Sequence, residues 1–208
     1  MSIHSKHLLR LFMEKINPIR THLPIALLLL LSSIIPTNAQ EMETPVQIQF
    51  PLFLKILSFD RNLKTRSKDV VHVGILFQKN VRQSVQVKND VLKTVEEMQQ
   101  KEILGMQTQF IPIEFTSESD LASAATRYNL EVIYITPMRA VDISALSAHC
   151  HEHHMLSMTG VVEYMETGIA VGIGLKGEKP LIIINPTAAK NAGADFHSQL
   201  LKLAKIIQ

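Results

Sequence analysis

Six consecutive residues, His149-Cys150-His151-Glu152-His153-His154, bring four imidazoles and a thiol together. Imidazole nitrogen and thiolate sulfur are ligands of zinc and copper. On a strand, His149, His151 and His153 would share one face; on a helix, His149 and His153 would. No second ligand set of suitable spacing accompanies them, since His72 and His197 stand alone. The zinc-hydrolase order H-E-x-x-H also fails, because the third residue after Glu152 is Met155. The competing reading is an exposed polar loop between a helix and a strand. No metal is assigned on this spacing, and His149, His151 and His153 stand as the candidate ligands should one bind.

A second pattern, Gly172-Ile173-Gly174-Leu175-Lys176-Gly177, fits the dinucleotide-binding motif G-x-G-x-x-G letter for letter. That motif works only where the glycines end a strand and open a helix whose amides receive the pyrophosphate. Here Glu-Lys-Pro-Leu-Ile-Ile-Ile follows, which reads as a strand, so the glycines are expected to permit close packing or a bulge. Covalent catalysis finds no support: there is no G-x-S-x-G elbow, and Cys150 with His154 lacks a Gly-rich turn for an oxyanion hole. Glu163 and Glu166, three apart, read as a solvated helical face. Glu114, Glu118 and Asp142 fall near expected carboxyl ends of strands, where open α/β sheets place ligands. That location leaves room for a small pocket without naming its occupant; no catalytic residue and no cofactor is assigned.

The elements that must position these groups alternate. Val70 to Phe77 reads as a strand, Gln86 to Leu104 as a helix, Gln109 to Phe115 as a strand, and Glu118 to Tyr128 as a helix capped by Thr116 or Ser117. Glu131 to Ile135 (strand), Met138 to His149 (helix, after Pro137) and His154 to Met158 (strand) continue the series. Upstream, Pro45 to Leu57 admits strand or helix with Pro51 interrupting; its Phe50 and Phe53, with the following Phe59, are expected in the core. Arg61 to Lys68 reads as a basic loop. The fold class is therefore α/β: a single domain with a mostly parallel sheet flanked by helices, completed by a C-terminal β-hairpin and a C-terminal helix.

The last forty residues carry the clearest local signals. Ile169 to Leu175 and Leu181 to Ile184 flank the turn Lys176-Gly177-Glu178-Lys179 as a hairpin. Asn185 suits an N-cap, Pro186 the first helical position and Gly193 a C-terminal cap. Leu200, Leu201, Leu203, Ala204 and Ile207 then recur at helical spacing, with Leu200, Leu203, Ala204 and Ile207 expected to pack on the sheet. The stretch Ile184-Asn185, Ala188-Ala189-Lys190, Ala192-Gly193 and Ser198 through Ile206 resembles the YfiR family of bacterial periplasmic proteins. The resemblance implies a non-catalytic regulator, not an enzyme, that docks on the periplasmic sensor part of an inner-membrane protein, a diguanylate cyclase or a histidine kinase. It also makes Pro45 to Leu57 the family's opening helix, although Leu57-Ser58-Phe59-Asp60 lacks the usual aromatic-proline ending. Some relatives carry cysteine pairs; here Cys150 is the single cysteine, so no internal disulfide forms and a bridge to another molecule stays open.

Residues 1–39 read as a signal peptide: Lys6, Arg10, Lys15 and Arg20, the apolar run Leu23 to Ile35, and Thr37-Asn38-Ala39 as the small-residue cleavage site, with Met1 or Met13 as the start. Removing them takes four of the 21 basic and one of the 19 acidic residues, leaving 17 against 18 and a net charge of −1 for residues 40–208. Such balance offers no electrostatic footprint for nucleic acid. The expected location is the periplasm. A homodimer and a small ligand remain open as partners, the latter through the alternative reading as a periplasmic solute-receptor-like protein.

Overall fold

Aliphatic and β-branched side chains on both faces make Val70–Phe77 (β1) a strand suited to the middle of a sheet. The computed structural model describes residues 42–99 and 101–207; the expected leader, residues 1–39, and its cleavage site beside Ala39 lie outside them. Among the described residues two helices precede β1, α1 (Val46–Leu57) and α2 (Leu63–Ser67). After it come α3 (Arg82–Glu97), β2 (Glu102–Ile103), β3 (Met106–Glu114), α4 (Glu118–Tyr128), β4 (Val132–Ile135), α5 (Ile143–Glu152) and β5 (Leu156–Thr159). A 3-10 helix (Val162–Thr167), β6 (Val171–Lys176), β7 (Lys179–Ile184), α6 (Pro186–Asn191), α7 (Ser198–Leu203) and β8 (Lys205–Ile206) complete the described chain.

The eight strands form one sheet in the order β2-β3-β1-β4-β5-β6-β7-β8. β1 pairs in parallel with both β3 and β4, and β4, β5 and β6 continue in parallel. β2 runs antiparallel to β3, and β7 runs antiparallel to β6 as the expected hairpin. This is the α/β architecture that the alternation implies.

Period-two alternation sorts the strand residues into two cores. Val73 and Ile75 of β1 with Val132 and Tyr134 of β4 meet α1, α3, α6 and α7. Leu76, Ile133 and Ile135 point the other way, toward α4, α5 and the 3-10 helix. Tyr134 is wedged edge-on against Phe50 and Phe53, both ring centroids 5.6 Å away, so these α1 aromatics are core residues as expected. The helix α1 runs through Pro51. Gly74 is where β1 is crossed most tightly: a Cβ there would lie 2.7 Å from the Cδ1 atoms of both Ile113 and Ile133.

Several boundaries differ from expectation, each for a nonlocal reason. Residues 61–68 are not a solvated loop: they hold α2, Leu63 is fully buried, and Arg66 donates to the buried Asp60 carboxylate at 2.6 Å. The helix α3 ends at Glu97, because Glu102–Ile103 turns back through Leu104-Gly105, both at positive φ, to pair with β3. The helix α5 starts at Ile143, not Met138; the Met138 N–H and carbonyl are engaged by the Tyr164 hydroxyl, and Asp142 caps the helix by accepting from the Ala145 N–H at 3.1 Å. β5 begins at Leu156 because His154 sits at φ 53° in the preceding turn. At the C-terminus the helix stops at Leu203, and Lys205–Ile206 pairs with Ile183–Ile184 of β7. Leu200 is buried, whereas Leu203 is 74% exposed, so the expected four-residue packing stripe is broken.

Candidate functional site

The chain leaves β1 for α3 on one face of the sheet, while β3 and its other neighbour β4 lead to α4 and α5 on the opposite face. The carboxyl end of β1 is thus the point where crossovers part, the position at which open α/β sheets form a crevice. A cavity of about 510 Å³ opens there, lined by Gln78, Phe115, Thr116, Ser117, Glu118, Ser119, Ala140, Val141 and Asp142. Next to it lies one of about 670 Å³, lined by Asn80, Val81, Arg82, Gln83, Gln86 and Arg139. Glu118 and Asp142 therefore reach the expected location, and Glu114, at the end of β3, is outside the lining.

Hydrogen bonds fix the walls. The Gln78 side-chain amide donates to the Arg139 carbonyl at 3.1 Å, and the Arg139 N–H donates back to Gln78 Oε1 at 2.7 Å. Below them the Ser84 and Thr136 hydroxyls meet at 2.6 Å, and Ser84 Oγ accepts from the Gln78 N–H. Ser117 is the N-cap of α4 in a capping box closed by Asp120. Asp120 Oδ2 accepts from the Thr116 hydroxyl and from the Thr116 and Ser117 N–H groups, and these bonds, the hydroxyl's first, pull its carboxyl down to about 2. Asp120 and Asp142 thus hold the starts of α4 and α5 in place. What they frame is an open recess in which hydroxyl, amide and guanidinium groups alternate with Phe115, Ala140 and Val141.

The histidine segment takes the helical of the two expected arrangements. His149, Cys150, His151 and Glu152 are the last four residues of α5 and His153 is its C-cap, so the alternation of a strand does not arise. His149 and His153 stack on one helical face with ring centroids 4.3 Å apart and planes tilted by 49°. Glu152 joins them, the three offering ligand atoms all within 4.8 Å of one another. Burial, then the neighbouring His153, lowers the His149 pKa, against the pull of Glu152 and Glu118. His151 points elsewhere, toward Gly168. His154 Nδ1 lies 3.2 Å from the Asn191 carbonyl, tying this turn to α6. Cys150 is fully buried and burial pushes its thiol up to about 12, which closes off the bridge to another molecule that its solitary position left open.

Gly172 and Gly174 lie within β6 and Gly177 at the hairpin tip with φ 63°, so the G-x-G-x-x-G copy is flanked by strands on both sides. A Cβ on Gly172 or Gly174 would meet Met165 Sδ at 2.5 Å or Val162 Cγ2 at 2.7 Å, so their smallness lets the 3-10 helix lie on the strand. Sequence reasoning reaches Glu118, Asp142, His149 and His153 but passes over Gln78, Arg139 and Glu152. Nothing local marks the first two, which meet only through the pairing of β1 with β4. Glu152 was legible in principle, since it stands three residues after His149 and one before His153.

Among solved structures, a conserved domain protein from Vibrio cholerae is similar to this chain at 14% identity and a TM-score of 0.55, over 79% of this chain and 60% of that one. An ABC domain from Streptococcus pneumonia, solved in complex with L-Trp, is similar at 13% identity and a TM-score of 0.54, over 78% of this chain and 62% of that one. This chain therefore matches about three-fifths of the length of each, and at such identity the likeness shows the fold alone. No curated protein matches the sequence. A family model described as YfiR/HmsC-like matches residues 64–205, from within α2 to the first residue of β8, taking in the sheet and both cavities at its edge. The chain belongs to the YfiR/HmsC-like family.

Proposed function

We propose that this protein is a non-catalytic periplasmic regulator that binds the periplasmic sensor part of an inner-membrane signalling protein, a diguanylate cyclase or a histidine kinase, and restrains it. Family membership supports the partner class. The observation that carries the docking mode is the last edge of the sheet. There Leu203 is 74% and Ile206 46% exposed, and β8 covers only Ile183–Ile184, so residues 179–182 of β7 have no outer partner strand among the described residues. An apolar, partly open edge is a surface that another chain can cover. The net charge of −1 for residues 40–208 supports contact by shape and apolar area over long-range steering.

In this reading residues 1–39 direct export and are removed beside Ala39. Mass spectrometry of the protein recovered from the periplasm tests that step, and retention of those residues would contradict it. The regulatory step is tested by deleting the gene and measuring cyclic-di-GMP and kinase output. A rise reversed by the wild-type gene but not by Leu203→Asp supports the proposal. Unchanged output removes it.

The recess at the carboxyl end of β1 favours a second reading, a periplasmic small-ligand-binding protein of solute-receptor type. The similar ABC domain was solved with L-Trp, which makes that amino acid a sensible first probe. If deletion abolishes uptake of a small solute while signalling output stays constant, this reading replaces the first.

A further inference from the structure

The geometry points to a site for a divalent, imidazole-seeking metal ion on the last turn of α5, formed by His149, Glu152 and His153. The three occupy positions i, i+3 and i+4, which a helix places on one face. Although His153 is the cap, its N–H still donates to the His149 carbonyl at 3.1 Å, so the helical repeat carries through to it. The resulting group offers three ligand atoms mutually within 4.8 Å. Tetrahedral coordination at ordinary zinc bond lengths sets neighbouring donors about 3.3 Å apart. Glu152 and His153 are exposed, and rotamer changes at their side chains can close that difference.

The surroundings favour a cation. The site lies at a helix C-terminus, the negative end of the helix dipole. Glu118 of the adjacent helix α4 bears on His149 electrostatically along with Glu152. The Nε2 atom of His149 is buried without a protein hydrogen-bond partner. Two imidazoles and one carboxylate suit zinc or copper(II), whereas magnesium and calcium prefer oxygen ligands. Three protein ligands leave a coordination position open to water or to a group from another molecule. Cys150 and His151 take no part, the first sealed in the core and the second turned toward Gly168.

The test uses tag-free, metal-stripped full chain titrated calorimetrically with zinc chloride and with copper(II) chloride. One equivalent should bind and raise the melting temperature. His153→Ala should weaken binding by at least about tenfold, or 1.4 kcal/mol, and His149→Ala likewise, with Glu152→Gln weaker than wild type and His151→Ala and His154→Ala unchanged. Circular dichroism of His153→Ala, which alters an exposed residue, separates loss of metal from loss of fold. X-ray absorption of the zinc-loaded protein should count two imidazoles. The proposal is overturned by the absence of saturable binding, by binding that survives the joint change of His149 and His153 to alanine, or by equal loss in His151→Ala.

Discussion

Gln78 and Arg139 exchange two hydrogen bonds, at 3.1 and 2.7 Å, across the carboxyl ends of the neighbouring strands β1 and β4. Both bonds run between a side-chain amide and a main-chain group, so the identity of residue 78 sets the geometry of the 138–142 segment whatever stands at 139. Gln78 lines one of the two cavities and Arg139 the other, so this pair joins their walls. Gln78→Ala should cost about 1 kcal/mol of stability, the usual net worth of such bonds near a surface. Urea denaturation should register that loss. Hydrogen exchange should register faster opening of residues 138–142 with little change in β5 and β6, and uniform loosening would count against a local role.

Leu200 and Leu203 make a paired test of the C-terminal segment. Leu200 is 2% exposed and packs with Phe196 and Ala189 in the first core, so Leu200→Ala should cost about 2–5 kcal/mol. Leu203→Asp, at a 74% exposed position, should stay within about 0.5 kcal/mol of wild type. Thermal melts of the two variants decide it; equal destabilisation would restore the continuous helical stripe that periodicity suggests.

Acid should act on α4 through its cap. Asp120 is held at about 2, below its ordinary 3.8, by the Thr116 and Ser117 donors. Because the folded value is the lower one, the stabilisation is complete above about pH 3.8 and is lost as pH falls through about 2. Asp120→Asn should therefore flatten the stability profile in that window and leave its neutral limb parallel to wild type. Fluorescence-monitored acid titrations of both proteins supply the comparison.

Crowding at β6 predicts a size limit. Gly174→Ala brings a methyl against Val162 and should destabilise by about 1–3 kcal/mol. Dinucleotide should stabilise neither wild type nor variant in a melting assay, since these glycines precede a strand. A shift seen in wild type and absent in the variant would reopen the phosphate-cradle reading.

Cys150 should resist alkylation in the folded protein at pH 8 and react readily in denaturant. Its sulfur is fully buried, and the thiol's raised pKa leaves little thiolate. Mass analysis after a timed maleimide pulse distinguishes the two states.

Much of the fold was legible because its cues are local. The strand Val70–Phe77 and the helix Glu118–Tyr128 match their apolar patterns residue for residue. Asn185 and Pro186 open α6 as their chemistry implies, and Gly193 follows it at φ 81°. What stayed hidden depends on distant partners. Arg66 leaves solvent only because Asp60 is buried beside it, and the helical run after Ser198 breaks only because Ile183 and Ile184 offer open main-chain groups. The site behaved the same way: acids at strand ends could be placed by rule, whereas Gln78 and Arg139 become neighbours only once β1 and β4 pair.

The order of the strands has a consequence for assembly. From β4 onward each strand takes its place beside the one before it, outward from β1: β4, β5, β6, β7, β8. A chain that emerges N-terminus first can therefore grow this side of its sheet by accretion, each strand from β4 onward meeting an edge already in place, while β2 and β3 pair with each other and add on the far side of β1. The residues most needed to start the process, in β1 and α1, come out early. The outermost seam, β7 with β8, is the last to close.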